Sequence, residues 1–269
     1  MQNRPIGIFD SGFGGLTALK RLRELAPRED IIYFADSGRM PYGGRSEKEL
    51  KLIAAQNMDF LKARDAKLVI AACGTLSSVA EDVLQSSGLP VIGVMRPGIQ
   101  RLSELEGEGP LGIIATEASI RSGRFKALLK SLCPEREIID IPCPRFVPLI
   151  EGGHVSPDDG ELMAAVEEHL APMRGRNMSG LLLGCTHYGI IGEAIHRFLG
   201  EGLKLIAASE SAAEDACRYM VREKISGGSG KLKLCTSGDA EEFYAFASGY
   251  LGTEDFELEA LPPMEVNAK

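Results

Sequence analysis

The stretches LVIAACGTLSS (68–78) and LLLGCTHYGI (181–190) decide the fold, because each is a short apolar run that ends in reactive and polar side chains. The first run leads into Cys73, and the second leads into Cys185 and His187. Short apolar runs bounded by turn residues are typical of buried strands. In parallel α/β sheets, function gathers at the loops that leave the carboxyl ends of the strands. The two stretches therefore predict two halves of one site.

Short apolar runs alternate with helical patterns along the chain. The runs are PIGIF, IIYFA, KLVIAA, PVIGV, PLGIIA, EIIDI, GLLLG, LKLIA and KLKLC, and the clearest helical patterns are GLTALKRLRELA, SEKELKLIAAQNMDFLKA and GDAEEFYAFASGYL. This alternation predicts an α/β fold with parallel sheets. Ser46 and Asp239 each precede acidic residues and mark two helix starts.

The first and second parts of the chain are alike. PIGIFDSGFGGLTALKRL, from residue 5, is similar to PLGIIATEASIRSGRFKALL, from residue 110, and the two cysteine stretches follow in the same order. This order suggests a duplicated unit. Because α/β units generally resemble one another, the two alignments alone do not distinguish a duplication from that general resemblance. A duplication predicts two halves that face each other across a cleft, each contributing one cysteine. The segment after residue 208 is expected to pack back on one half.

The composition indicates an ordinary globular protein with a small partner. The 269 residues are 44% apolar and 25% charged, and the net charge of −8 gives no basic field for nucleic acid. The opening MQNRPIGIFD lacks a signal-peptide pattern, and no apolar run approaches the roughly 18–20 residues that cross a bilayer. A cytoplasmic location is expected, with no membrane partner. The six cysteines are then expected to be reduced thiols, and without C-x-x-C pairs they predict no metal site.

Cys73 and Cys185 are candidate bases. A cysteine after a strand is ordinarily a small core residue, but threonine hydroxyls and backbone N–H groups beside these two predict a lowered thiol pKa and an anion site. The remaining cysteines (133, 143, 217 and 235) lack that setting and are predicted to be structural. Two facing thiols suit the inversion of a stereocentre, in which one group removes a proton and the other returns one. Redox exchange would favour adjacent cysteines, and a Cys–His hydrolase needs only one nucleophile.

Asp10 and His187 are candidate assistants to the two thiols. The glycine-rich loop after Asp10 matches no phosphate-binding spacing. A carboxylate there suits an ammonium group, the orientation of a thiol, or the cap of the next helix, and these interpretations are compatible. His187, two residues after Cys185, would serve that thiol as Asp10 serves Cys73.

Five ordered motifs resemble those of a known family. GIFDSGFGGL, YFADSGRMPYGGRS, AACGTLSS, VPLIEGG and LLLGCTHYG are similar, over nearly the whole chain, to the glutamate racemases of the aspartate/glutamate racemase superfamily. The resemblance implies interconversion of L- and D-glutamate without a cofactor, with the D form used for peptidoglycan. It also implies two similar α/β domains around the substrate, and it allows a homodimer. The predicted domains are 1–95 with 209–269, and 96–208.

The resemblance also implies site residues. Cys73 and Cys185 would be the catalytic thiols, with Asp10 and His187 assisting them. The positions that would contact or surround the substrate are Ser11, Pro41, Tyr42, Gly43, Gly74, Thr75, Thr116, Ser119, Glu151 and Thr186.

Three residues depart from the family pattern. Gly74 replaces the usual Asn, Gly189 replaces a proline, and Ser119 replaces a threonine while retaining the hydroxyl. If the missing amide limits affinity, Gly74→Asn is expected to strengthen glutamate binding. The substrate could also be aspartate or another acidic amino acid. A bilobal ligand sensor without catalysis is a further alternative, and the presence of both cysteines argues against it.

Overall fold

The computed structural model describes residues 3–262 and 264–265. The strands within these residues are β1 (Ile6–Asp10), β2 (Ile31–Ala35), β3 (Leu68–Ala71), β4 (Val91–Gly93), β5 (Leu111–Ala115), β6 (Ile138–Pro142), β7 (Gly180–Leu183), β8 (Leu205–Ala207), β9 (Leu232–Thr236) and β10 (Glu257–Ala260). The first six helices are α1 (Leu16–Leu25), α2 (Glu47–Ala63), α3 (Gly74–Val79), α4 (Glu81–Gln85), α5 (Met95–Ser103) and α6 (Glu117–Arg121). The others are α7 (Arg124–Leu132), α8 (Phe146–Glu151), α9 (Gly160–Leu170), α10 (Gly192–Leu199), α11 (Ala208–Glu223) and α12 (Ala240–Leu251), with 3-10 turns at Ser37–Arg39, Ala171–Met173 and Thr186–Gly189.

The strands form two parallel sheets, which confirms the predicted fold class. The first sheet has the order β10-β9-β2-β1-β3-β4 and the second the order β6-β5-β7-β8. The described pairings in both sheets are parallel. The arrangement β2-β1-β3-β4 recurs as β6-β5-β7-β8, as a duplicated unit predicts.

The predicted apolar runs coincide with β1 to β9, whereas β10 was not predicted. Its sequence, ELEA, carries Glu257 and Glu259 and lies at the edge of the first sheet, where its residues are exposed or half-buried. The segment between β5 and β6 forms two helices, α6 and α7. Gly123 precedes α7 with a φ of 68°, a left-handed conformation that ends one helix before the next begins.

The segment after β8 returns to the first sheet. β9 pairs with β2, and Phe243 of α12 lies 5.4 Å from Phe13 and 6.1 Å from Tyr33 between ring centroids. The predicted domain limits fall between the strands of the two sheets, and the limits themselves stay a prediction. Residues 1–2, 263 and 266–269 of the first predicted domain lie outside the described residues.

Helix capping follows the predicted signals. The Ser46 hydroxyl accepts from the Glu49 N–H at 3.3 Å while the Glu49 carboxylate accepts from the Ser46 N–H at 3.0 Å, which completes a capping box. Asp239 accepts from the Glu242 N–H at 2.9 Å. Among the described residues, no helix is both long and apolar enough to cross a membrane.

Candidate active site

A cavity of about 210 Å³ lies where loops from the two sheets meet. The loops follow β1, β2 and β3 of the first sheet and β5, β6 and β7 of the second, so carboxyl ends of strands from both halves surround it. The lining residues are Ser11, Met40, Pro41, Tyr42, Gly43, Gly44, Cys73, Gly74, Thr75, Thr116, Glu117, Cys143, Pro144, Val147, Pro148, Cys185, Thr186 and His187. Most of the predicted site residues are therefore brought together.

Cys73 and Cys185 occupy equivalent places in the two halves. Cys73 follows β3 and immediately precedes α3, and Cys185 follows β7 and precedes the turn Thr186–Gly189. The residues are only 3% and 6% exposed, yet both line the cavity. The repeated fold thus delivers a buried thiol to the cavity from the equivalent strand of each sheet, β3 and β7.

The Cys73 thiol does not have the lowered pKa that the sequence predicted. Burial raises the pKa of Cys73 to about 12, and the charges of Asp10 and Cys185 act in the same direction. The N–H groups of Leu76 and Thr75 oppose this rise but are outweighed. At neutral pH, Cys73 therefore holds its proton.

Cys185 belongs to a chain of polar contacts through His187. The Cys185 Sγ lies 3.8 Å from His187 Nδ1, and His187 Nε2 lies 2.9 Å from Glu151 Oε1. Burial alone would lower the pKa of His187, but its hydrogen bonds to Cys185 and Glu151 and the negative charge around it raise that pKa well above the usual range. An imidazolium is therefore held next to the Cys185 sulfur.

Glu151 stands behind His187 and is not part of the cavity lining. The sequence placed this residue among those that contact or surround the substrate. In the structure, Glu151 contacts the imidazole nitrogen of His187 that faces away from Cys185. A carboxylate in this position orients the histidine ring.

Asp10 is fully buried behind the cavity and does not line it. Its Oδ2 accepts from the N–H groups of Gly15 at 2.9 Å and Gly12 at 3.3 Å, and its Oδ1 accepts from the Thr186 hydroxyl at 3.4 Å. Burial raises the pKa of this carboxyl. Asp10 thus holds the glycine-rich loop that leads into α1 and links the two halves, and its assistance to Cys73 stays a prediction.

Four hydroxyls, here called the hydroxyl cluster, join α3 to the loop and helix after β5. The Thr75 and Thr116 hydroxyls are 2.9 Å apart, Thr116 donates to Ser119 at 3.0 Å, and Ser78 donates to Ser119 at 3.2 Å. Thr75 and Thr116 line the cavity, whereas Ser119 is fully buried behind them. The cluster offers donors to a carboxylate at the seam between the halves.

The loop after β2 is held by a carboxylate that the sequence analysis did not select. Asp36 is fully buried and accepts from Arg39 Nε at 2.7 Å, from the Ser237 hydroxyl at 2.9 Å and from the Tyr42 hydroxyl. This network presents Pro41 and Gly43 to the cavity. Asp and Arg three residues apart at a strand end are the sequence signal that could have identified it.

Cys143 was predicted to be structural, but it lines the cavity. It follows β6, and burial raises the pKa of its thiol above the ordinary range. Its carbonyl accepts from the Tyr188 hydroxyl at 2.8 Å. The position immediately after a strand of the second sheet was the available signal.

The glycines of the site allow the two halves to touch. A Cβ built on Gly14 would lie 2.5 Å from Thr186 Oγ1 and His187 Nδ1, and one built on Gly74 would lie 2.0 Å from the Gly184 carbonyl oxygen. The effect of Gly74→Asn on binding stays a prediction, and the added side chain would require the backbone at Gly184 to shift. The glycine-rich loop after Asp10 is explained in the same way, because its glycines allow the loop to pack closely against the second half.

The described residues contain no group of three or more His, Cys, Asp and Glu side chains that could hold a metal ion. All six cysteines lie within those residues and are free thiols.

Comparison with known proteins identifies the family. The model for Asp/Glu/Hydantoin racemase matches residues 11–216. The chain belongs to this racemase family. Glutamate racemase 2 of Caldanaerobacter subterraneus subsp. tengcongensis is 35% identical over 258 residues, which are 94% of this chain and 95% of that protein. Membership of the family makes the chain an isomerase of the amino-acid racemase class.

Solved structures agree with this assignment. Glutamate racemase from Francisella tularensis subsp. tularensis SCHU S4, in complex with D-glutamate, has a TM-score of 0.90 and 35% identity, covering 98% of this chain and 99% of that one. The aspartate racemase of Picrophilus torridus, with a TM-score of 0.58 and 16% identity, shares the fold alone. The resemblance stated from the sequence motifs is thereby confirmed.

Proposed function

We propose that the chain is a glutamate racemase that interconverts L- and D-glutamate by proton transfer between two thiols, without a cofactor. The observation that carries the proposal is the entry of Cys73 and Cys185 into one cavity from equivalent strand ends. A base and an acid of the same kind on opposite sides of a carbon are what reversible inversion requires.

In the proposed reaction, the thiolate of one cysteine takes the proton from the α-carbon of glutamate. The electron pair stays on the substrate as a carbanion spread into the α-carboxylate. The thiol of the other cysteine then gives its proton to the opposite face. The product is the inverted amino acid, and the thiol and thiolate have exchanged places, ready for the reverse reaction or for exchange with solvent.

The surroundings of the two thiols differ, and the difference suggests which acts first as the acid. Cys73 holds its proton, while Cys185 lies beside the imidazolium of His187, which Glu151 supports. Cys73 is therefore the thiol better prepared to act first as the acid, and we assign the role of first base to Cys185.

The hydroxyls and backbone N–H groups around the cavity are suited to the substrate's carboxylates. Thr75, Thr116 and Thr186 line the cavity, and the N–H groups at the start of α3 lie beside them. Donors fixed before the reaction stabilise the developing negative charge without reorganisation. We include Ser11, Pro41, Tyr42 and Gly43 among the contacts, with Ser119 and Glu151 supporting them from behind.

The physiological part of the proposal rests on the family resemblance. The enzyme would supply D-glutamate for peptidoglycan in the cytoplasm, where the free thiols stay reduced. A homodimer is part of the same proposal.

The test is circular dichroism of the purified protein with L-glutamate in heavy water, with deuterium at the α-carbon followed by mass spectrometry. Loss of optical activity with α-deuteration is expected, at a higher kcat/KM than for L-aspartate. Faster turnover of L-aspartate would favour the alternative substrate. A folded protein that binds glutamate but turns over neither amino acid would support the sensor alternative.

A further inference from the structure

Five of the residues that line the cavity are exposed to solvent and form its mouth, here called the rim. They are Pro41, Gly44, Glu117, Pro144 and Pro148. Among the described lining residues, Glu117 is the only one with a carboxylate. We propose that Glu117 is a specificity-determining residue that weakens binding increasingly with a ligand's net negative charge, and so favours glutamate over dicarboxylates that lack its ammonium group. This proposal rests on the proposed function, which makes glutamate the substrate.

The negative charge of Glu117 is not neutralised by a neighbouring cation. Within residues 3–262 and 264–265, its side chain makes no hydrogen bond and no ion pair, not even with Arg121 one turn further along α6. Arg45 and Arg145, which follow rim residues in the sequence, are each paired with another glutamate, at 3.4 Å and 2.5 Å. A ligand that enters the cavity therefore passes an unpaired carboxylate.

The interior of the cavity does little to select ligands by net charge. The described lining residues include no Lys or Arg, and the donors that face a ligand's carboxylates are hydroxyls, such as those of Thr75 and Thr116, and backbone N–H groups. The one cationic ring, that of His187, already has Glu151 at 2.9 Å. A protein can also reject a ligand by placing a like charge against it. In this cavity, the rim carboxylate is the group in position to do so.

A purely structural role for Glu117 makes a different prediction. Glu117 begins α6, where a carboxylate stabilises the helix start, and the next residue, Ala118, donates its N–H to the Gly43 carbonyl at 3.2 Å across the seam. Loss of that role would loosen the seam and change the affinity for every ligand by a similar factor. Electrostatic selection instead depends on the charge of the ligand and on the salt concentration, so the two roles are separable.

The expected size of the effect follows from Coulomb's law. One additional negative charge about 4–8 Å from the carboxylate, in water at low salt, weakens binding about two- to fivefold. Glutarate has the two carboxylates of glutamate without the ammonium group, and so carries one more net negative charge. Glu117→Gln should therefore strengthen glutarate binding about two- to fivefold more than glutamate binding. At about 1 M salt the Debye length of about 3 Å should remove most of this difference.

The test compares Glu117→Gln with the wild type and with Glu193→Gln. Glu193 is also an exposed glutamate in the first turn of a helix, α10, but it does not line the cavity. Titration calorimetry measures Kd for glutarate and for racemic glutamate, whose composition turnover does not change, at about 10 mM and about 1 M salt. We expect the ratio of the glutarate Kd to the glutamate Kd to fall in Glu117→Gln at low salt only, and the control to match the wild type.

An unchanged Kd ratio in Glu117→Gln would overturn the proposal, and so would a change that persists at high salt. Glutarate that binds neither the wild type nor Glu117→Gln would also overturn it, because the rim charge would then not be what excludes this ligand. The measurement needs no turnover. Glutamate binding with an unchanged ratio would therefore refute this inference alone, whereas a folded wild type that does not bind glutamate would refute the proposed function and this inference with it.

Discussion

Glu151→Gln should shift the pH dependence of the reaction through His187. The substitution keeps the size of the side chain and its ability to hydrogen-bond, and it removes the negative charge 2.9 Å from His187 Nε2. That contact is one of the causes of the raised pKa of His187. The side chains of His187 and Glu151 are 2% and 21% exposed, so solvent screens the pair only in part.

The size of the shift follows from the hydrogen bond. A bond to a charged group contributes about 1.5–3 kcal/mol and a neutral bond about 0.5–1.5 kcal/mol, so the charge accounts for roughly 1–1.5 kcal/mol. One pKa unit corresponds to about 1.36 kcal/mol, so the pKa of His187 should fall by about one unit.

The sign of the effect is fixed by the direction of the native shift. Because the folded pKa of His187 is raised, the imidazolium persists above its ordinary pKa and is lost as pH rises through the raised value. In Glu151→Gln, the alkaline fall in kcat/KM should therefore begin about one unit lower. The stability that the pair contributes is greatest below the unfolded pKa of histidine and is lost as pH rises through the folded pKa. In Glu151→Gln, that folded pKa is lower, so the loss on raising the pH would be complete at a lower pH than in the wild type.

The assay is kcat/KM by circular dichroism across the pH range, with the His187 ring followed by NMR titration. Glu161→Gln is the matched control, because Glu161 is 71% exposed and lies 3.8 Å from His154, away from the cavity. An alkaline limb that stays in place while the NMR pKa of His187 moves would refute the assignment of that limb to His187. An unmoved NMR pKa would refute the electrostatic reasoning itself.

Two further substitutions test the supports of the first half. Glu29→Ala removes a buried carboxylate whose Oε2 lies 2.5 Å from Lys67 Nζ and whose Oε1 accepts from the Gly227 N–H at 2.7 Å. We expect the free energy of unfolding in urea to fall by about 1–3 kcal/mol, and an unchanged value would contradict this. Ser237→Ala removes one donor from buried Asp36 and should cost about 1–3 kcal/mol. Ser237→Ala should also raise KM, because Asp36 holds the loop that carries Tyr42. Ser131→Ala, which removes an exposed hydroxyl, is the control. An unchanged KM in Ser237→Ala would show that the loop does not depend on Ser237.

Much of the fold was predictable because its signals are local. Buried parallel strands read as continuous apolar runs, and the starts of α2 and α12 carry capping residues. β10 could not be found in this way, since Glu257 and Glu259 suit an exposed edge and interrupt any apolar pattern. The break between α6 and α7 depends on one left-handed glycine, Gly123, which the periodicity does not reveal.

The site was predictable where chemistry follows a strand end, as at Cys73 and Cys185. The rest depends on distances between the halves, which no local pattern encodes. The contact of Gly74 with Gly184 and the hydrogen bond from Thr186 to Asp10 are of this kind. The pKa of Cys73 also required the structure, because neighbouring N–H groups were visible in the sequence but the depth of burial was not.

The most direct test of the central claim is racemisation by Cys73→Ala and Cys185→Ala, each measured from L-glutamate and from D-glutamate. The two-thiol account predicts that each variant keeps the far-ultraviolet circular dichroism and melting behaviour of a folded protein. It also predicts that each loses turnover in both directions, since inversion needs a proton removed on one face and returned on the other. Substantial turnover in both directions by either folded variant would contradict the account.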